Sequence, residues 1–229
     1  MTALFTQPLF YIYFVYGISF LVMSCVLLHG IKKATAISLI STFHALAAFG
    51  ITHGITELVD WARFILKFSG HGEVMVLKYL SQSLLILSFV ILLQFAVNLF
   101  TYKHEKNGLI RAIPAALLAV YLFVLFITKT DDISKAGLLA RHGFGFLGAL
   151  LSGIALFSLA QLMESAGDST ASKGLFVGAV GFGLYSVFGG LIIQPIAGVP
   201  IQLFRAACAV TIAVSSFYFL GVFEACEAA

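Results

Sequence analysis

The sequence predicts an all-α membrane protein: a bundle of seven transmembrane helices with the N-terminus outside and the C-terminus cytoplasmic. Three observations lead there. Of the 229 residues, 61% are apolar and only 10% are charged. The mean hydropathy is +1.06. The apolar residues fall into runs of the length a spanning helix needs, roughly 20 residues. A soluble domain is nearer half apolar and a quarter charged, and one of this size cannot hide such an excess in a single core. The composition therefore speaks against a soluble enzyme, a disordered chain and a nucleic-acid binder. The net charge of +3, from 13 Lys+Arg and 10 Asp+Glu, is too small for a basic nucleic-acid patch.

The spans follow in order: 9–28, 36–68, 74–100, 109–128, 134–163, 171–193 and 201–223. The first stops at His29-Gly30-Ile31-Lys32-Lys33. The second has a polar second half. Tyr102-Lys103-His104-Glu105-Lys106-Asn107-Gly108 follows the third. The loop Lys129-Thr130-Asp131-Asp132 follows the fourth, and Asp131 or Asp132 is placed to cap the fifth. Glu164-Ser165-Ala166-Gly167-Asp168-Ser169-Thr170 leads to the sixth, and an apolar turn from Pro195 to Pro200 leads to the seventh. These spans make the chain one transmembrane domain, with short loops that leave no room for a kinase, cyclase, nuclease or receiver domain. The start lacks the basic region of a cleavable signal peptide. Cys25, Cys208 and Cys226 have no paired spacing and read as small apolar residues.

Orientation comes from the loop cations. Lys32, Lys33, Lys103, Lys106, Arg111 and Lys173 fall on one side, against Lys67, Lys129 and Lys135 on the other. The positive-inside rule puts the richer side, with the C-terminus, in the cytoplasm. This count sets aside cations embedded in helices.

Ionisable groups within spans are costly and mark functional sites. His53, Glu57 and Asp60 recur at i, i+4 and i+7, on one face of the second helix. Arg63 follows at a spacing that pairs with Asp60, and Trp61 suits a membrane interface. Lys78, Ser81 and Gln82 open the third helix, Arg141 and His142 lie early in the fifth, and Gln202 and Arg205 open the seventh. On this topology His53, Glu57, Asp60, Lys78, Arg141, His142 and Arg205 converge in the outer leaflet. A polar ligand pocket and a structural salt-bridge network are the competing accounts.

Three chemistries compete for such a pocket. One haem b could be held by His53 and His142 as axial ligands from two helices. Two stacked haems are excluded, because His44 and His53 are ~13 Å apart on opposite helix faces. A metal could take His53, Glu57 and His142. An acidic or zwitterionic ligand could be held by Arg141, Arg205 or Lys78. Other signals are discounted. Gly143-Phe144-Gly145-Phe146-Leu147-Gly148 matches a dinucleotide fingerprint but lies in an apolar helix, where it reads as a close-packing surface. Gly174 and Gly178 read the same way. His29, His71 and His104 sit at helix ends or in loops. The seventh helix carries Arg205 and no Lys, so a retinal Schiff base has no anchor.

The segment Leu46-Ala47-Ala48-Phe49-Gly50 with His53-Gly54-Ile55-Thr56-Glu57-Leu58-Val59-Asp60 resembles the N-terminal membrane module of bacterial sensor histidine kinases and related signalling proteins. So do Phe14-Val15-Tyr16-Gly17-Ile18-Ser19-Phe20 and Arg141-His142-Gly143-Phe144-Gly145-Phe146-Leu147-Gly148-Ala149-Leu150-Leu151. Val222-Phe223-Glu224 is similar to the point where such modules pass into a cytoplasmic signalling helix. The resemblance implies a sensory input domain with His53, Glu57 and Arg141 at its signal site. No transmitter follows Glu224 in this sequence, which fits either a standalone version that signals through a partner or the input half of a longer architecture.

The expected function is a bacterial inner-membrane sensor that binds a small ligand in the outer leaflet and signals through a cytoplasmic partner. The alternative is a haem b cytochrome subunit with a redox partner, and the third reading is a small transporter. Besides the lipid bilayer, a second copy of the chain is the other expected contact.

Overall fold

The computed structural model describes residues 7–32, 37–101, 108–128 and 132–218. These are 87% helical and contain no strand. Lys33, the charged loop 102–107, Lys129 to Asp131, Val222-Phe223-Glu224 and Cys226 lie outside the described residues.

The helices are α1 (Pro8–Ile31), α2 (Ile37–Phe68), α3 (Met75–Thr101), α4 (Ile113–Ile127), α5 (Ile133–Ser165), α6 (Ser169–Leu191) and α7 (Ile201–Ser216). A single turn, Gly108–Arg111, precedes α4. Four of them, α1, α3, α5 and α6, are long and apolar enough to cross a membrane. Helices α4 and α7 are apolar but shorter, and α2 is long with a charged second half.

Local chemistry sets the boundaries. Pro8 occupies the first turn of α1, where its missing N–H costs nothing. Gly70 and Gly72, at φ 83° and 72°, turn the chain from α2 to α3. Of the two candidate caps for α5, Asp132 does the work: its side chain accepts from the Ser134 N–H at 2.9 Å. Asp168 caps α6 the same way, through the Ala171 N–H at 2.9 Å. Between α6 and α7, Ile196 and Val199 exchange backbone hydrogen bonds around Ala197 and Gly198, both at positive φ.

Six helices close a ring in the order α1-α2-α3-α5-α6-α7, with α7 packing back on α1. Helix α4 lies outside it, against α3, and reaches α5 through Tyr121. Only Pro114 and Tyr121 of α4 are buried, and Tyr121 donates to the Ala136 carbonyl at 2.8 Å. Large aromatic side chains fill the ring: Tyr16, Phe20, Phe43, Phe49, Phe89, Phe95, Phe182 and Tyr185 are all fully buried.

Small residues let the ring close. A Cβ on Gly54 would lie 2.8 Å from the Gly17 carbonyl oxygen, and one on Gly17 would lie 2.9 Å from the Gly54 oxygen. The α1 and α2 backbones therefore touch there. The glycine-rich stretch of α5 packs closely in part, as expected: Gly145 lies against the Phe89 ring and Gly148 against the α3 backbone. Gly143 faces open space.

Two features depart from the sequence reading. Arg141–Gly145 in α5 and Ser186–Leu191 in α6 are π-helical turns, and they pack against each other. Helices α6 and α7 also stop early, at Leu191 ahead of the expected 193 and at Ser216 ahead of the expected 223. A π turn has no simple hydrophobic period, so the sequence pattern cannot announce it, but such turns recur at functional sites.

Candidate functional site

Polar side chains gather at one end of the ring, the end where α1, α3, α5 and α7 begin and α2 and α6 finish. They form three groups.

The first is a sealed cluster around His53, which has no exposed surface. Its Nδ1 lies 2.8 Å from the Ser88 hydroxyl, and that hydroxyl donates to the Leu85 carbonyl at 2.7 Å. With the serine proton used there, Nδ1 carries the ring N–H and donates to Ser88. Nε2 is then the acceptor, taking the Tyr185 hydroxyl at 2.7 Å. The Tyr16 hydroxyl lies 2.6 Å from that of Tyr185 and 3.3 Å from Nε2. Glu57, 2% exposed, places Oε1 3.5 Å from Nε2. Phe20, Phe49 and Phe89 wall the imidazole, with ring centroids 4.9, 5.2 and 5.3 Å away. The touching backbones at Gly17 and Gly54 bring Tyr16 alongside His53. A Cβ on Gly189 would run into the Tyr185 ring, so the π turn of α6 makes room for that tyrosine.

The network is expected to have a measurable hierarchy. Tyr185→Phe removes the short donor to a buried nitrogen and should cost about 1–2 kcal/mol. Tyr16→Phe, which loses the longer contact to Nε2, should cost less. Denaturant titration of the two variants in one detergent measures the order.

The second group lines a cavity of about 210 Å³ between α3, α5, α7 and the end of α6. Gln82, Ser134, Arg141, Gln202 and Arg205 supply its polar wall. Arg205 is 6% exposed and donates from Nε to the Phe188 carbonyl at 2.7 Å and from Nη2 to the Ile192 carbonyl at 3.0 Å. It thereby ties down the last turn of α6. Arg141 opens the π turn of α5, reaches the Gly189 carbonyl at 3.4 Å and lies over the Phe89 ring at 5.9 Å. Among the described residues no carboxylate lies within 4.0 Å of either guanidinium. The charges of both act on Glu57 across the wall between cavity and cluster.

The third group is a charge clasp at the rim. Arg63 donates to Asp60 and to Glu73, both at 2.6 Å, and Ser81 donates to Asp60 at 2.7 Å. The expected Asp60–Arg63 pair is thus formed. Tyr13, Asp60, Arg63, Lys67 and Glu73 line an adjacent cavity of about 240 Å³. Trp61 packs on Phe10 and Phe14, with centroids 5.3 Å away in both cases. The hydrogen bond from Arg63 holds the Glu73 carboxyl below the usual carboxylate range, and Lys78 adds to this. A carboxyl lowered by folding stabilises above its unfolded pKa and loses that contribution as pH falls through the lowered value. As pH falls through that lowered value, Glu73 is expected to release Arg63. Faster hydrogen exchange of residues 69–74 in acid, after correction for intrinsic rates, and its absence in Glu73→Gln, check this.

The predicted residues divide accordingly. His53 and Glu57 meet in the sealed cluster, Arg141 and Arg205 share the cavity, and Asp60 belongs to the clasp. Lys78 is half-buried and lines neither cavity. His142 is exposed. The expectation that it converges with the others is corrected for a simple reason: successive residues of a helical turn point in different directions around its axis, and with Arg141 on the cavity His142 is left exposed.

The correction bears on the cofactor alternatives. His142 is on the outside of the ring, and His53 is enclosed by three phenyl rings with both nitrogens hydrogen-bonded. The pair does not fit a shared haem b. No group of three His, Cys, Asp or Glu among the described residues is placed to hold a metal ion, so His53, Glu57 and His142 do not form one either.

Sequence reasoning missed Tyr16, Tyr185, Ser88, Ser134 and Gly137. A lone hydroxyl in an apolar helix looks the same whether it serves a site or bonds its own backbone. Only Tyr16 carried a signal, since it sits in a segment that took part in the family resemblance.

No protein-family model matches the chain, and no curated protein or solved structure matches it.

Proposed function

We propose that the chain is a multi-pass bacterial inner-membrane sensor. In this reading its seven helices all cross the bilayer, with the N-terminus outside and the C-terminus cytoplasmic. The polar end of the ring then lies in the outer leaflet, receives a small ligand, and passes a helix shift to a cytoplasmic partner, with a second copy of the chain as a further contact.

One observation carries this reading: a fully enclosed His53–Glu57–Tyr16–Tyr185 cluster lies beside a cavity bearing two arginines without carboxylate partners. Inside an apolar ring such groups are expensive, and a purely structural network would pair them off. Arg141 lines the cavity and lies over the Phe89 ring that walls His53, and Arg205 fastens the end of α6 beside the cavity. Paired π turns supply an element that can change register by one residue, the kind of two-state step that signalling needs. The small-transporter reading has less support: among the described residues the buried ionisable side chains His53, Glu57 and Arg205 all lie at this one end of the ring.

The test uses the full chain in nanodiscs, screened against separate panels of small cations, anions, neutral sugars and amino acids. Hydrogen exchange is read at 169–176 and 212–218, the ends of α6 and α7 far from the cavity. A ligand that alters exchange there in wild type, and fails to in His53→Ala and Glu57→Ala variants that still insert, supports the sensor. Binding without change at those ends, or no change in any panel, defeats it.

A further inference from the structure

We infer that the cavity between α3, α5 and α7 is a binding site for a short-chain carboxylate; this rests on the ligand-pocket reading above and names its ligand class.

The first argument is unspent hydrogen-bonding capacity. Among the described residues, Arg205 uses Nε and Nη2 on two carbonyls and has no partner for Nη1, and Arg141 makes one long bond, through Nη1, with none through Nε or Nη2. Gln202 spends its amide nitrogen on the Tyr13 hydroxyl at 3.3 Å. Gln82 points its carboxamide into the space left by Gly137, where a Cβ would collide with Oε1. Two guanidiniums that repel each other are thus held at one small cavity. A planar anion relieves that repulsion and matches the fork geometry of Arg.

The second argument is independent of the side chains. Ser134, Gly137 and Leu138 belong to the first turns of α5, and Ile201 and Gln202 to the first turn of α7. Two helices thus present the positive ends of their dipoles to one cavity. The one C-terminal end at the cavity is that of α6, and Arg205 already donates to its Phe188 and Ile192 carbonyls.

Size and lining narrow the class. About 210 Å³ is below the range for drug-sized ligands. Leu138, Ile193 and Ile201 make one wall apolar. Inorganic phosphate and sulfate leave that wall against a polar surface, whereas propionate or butyrate covers it with a methyl end.

Radiolabelled butyrate and the full chain in phosphatidylcholine nanodiscs test this by scintillation proximity. Saturable binding is expected, displaced by propionate but not by inorganic phosphate or tetramethylammonium. Arg141→Gln should weaken it at least tenfold. Gly137→Ala removes no charge but forces Gln82 to move, and should weaken it as well. Both variants must remain monodisperse, and Arg205→Lys provides a second charge-geometry variant if Arg141→Gln does not. Absence of saturable binding to monodisperse wild type would overturn the inference, as would binding indifferent to Arg141→Gln and Gly137→Ala. Displacement by phosphate as effective as by propionate overturns the carboxylate assignment. Loss of binding in phosphatidylglycerol nanodiscs overturns it too, by giving the cavity to a lipid headgroup. If cations or neutral compounds alter exchange in α6 and α7 while butyrate does not bind, the sensor stands and this inference falls.

Discussion

Arg205→Leu is expected to destabilise the protein by about 3 kcal/mol, because buried carbonyls left without donors cost roughly 1–3 kcal/mol each. Two such carbonyls are involved, those of Phe188 and Ile192, and both take their hydrogen bonds from Arg205. They belong to the last turn of α6 and the residue after it, where π geometry already departs from the regular helix ladder. The damage should spread inward, because Gly189 in the same turn makes room for the Tyr185 ring. Arg205→Lys retains the charge and one directed donor, and should recover roughly half of the loss. Unfolding titrations in mixed detergent micelles, with hydrogen exchange followed at 186–192, measure both. Equal stability of wild type and Arg205→Leu would show that the α6 end is held by packing alone.

The second large effect is at Gly54. Gly54→Val places a branched side chain where even a Cβ would sit 2.8 Å from the Gly17 carbonyl oxygen and 2.9 Å from Leu21. The obstacle is backbone, which has no rotamer to escape into. Helices α1 and α2 must separate, at about 3 kcal/mol, the upper part of the usual overpacking range. Tyr16 is one residue from Gly17 and His53 one from Gly54, so the same separation stretches the hydroxyl contacts of the sealed cluster. Gly143→Val makes a stringent control: it changes a glycine of the same bundle that faces open space, and since valine is no worse a helix former than glycine it should leave stability unchanged within about 0.5 kcal/mol. Thermal denaturation of both variants decides whether the close approach at Gly17 and Gly54 positions the cluster.

Much of this architecture was legible from residue order alone. Apolar run length marked the helices, because a spanning segment must satisfy its backbone internally over a fixed thickness. The i, i+4 spacing of His53 and Glu57 put them on one face, and both are buried together. The sequence also flagged Arg141 and Arg205 as misplaced charges. What it could not supply was rotation. His142 looked as eligible as Arg141 until the helix was turned, and the rotation that brings Arg141 to the cavity leaves His142 exposed. Nor could it reveal the π turns, which shift the phase of everything after them. Tyr185 stayed hidden among aromatic residues that fill lipid-facing and interior positions alike. The seven-span reading also left open how the helices are ordered in space, and six of them close the ring while α4 stays outside.

That outside position has a further meaning. Helices α3 and α5 are neighbours that run in the same direction, as the successive contacts of Gly137 with Gln82, Gly145 with Phe89 and Gly148 with Leu93 require. Two adjacent parallel helices cannot be joined by a short loop; the chain must first travel back. Helix α4 is that return journey, and it adds no side chain to the sealed cluster, the cavity or the clasp. It works as a cable, whose duty is length. Apolar-for-apolar changes on its outward face are therefore expected to leave the machinery inside the ring unaltered.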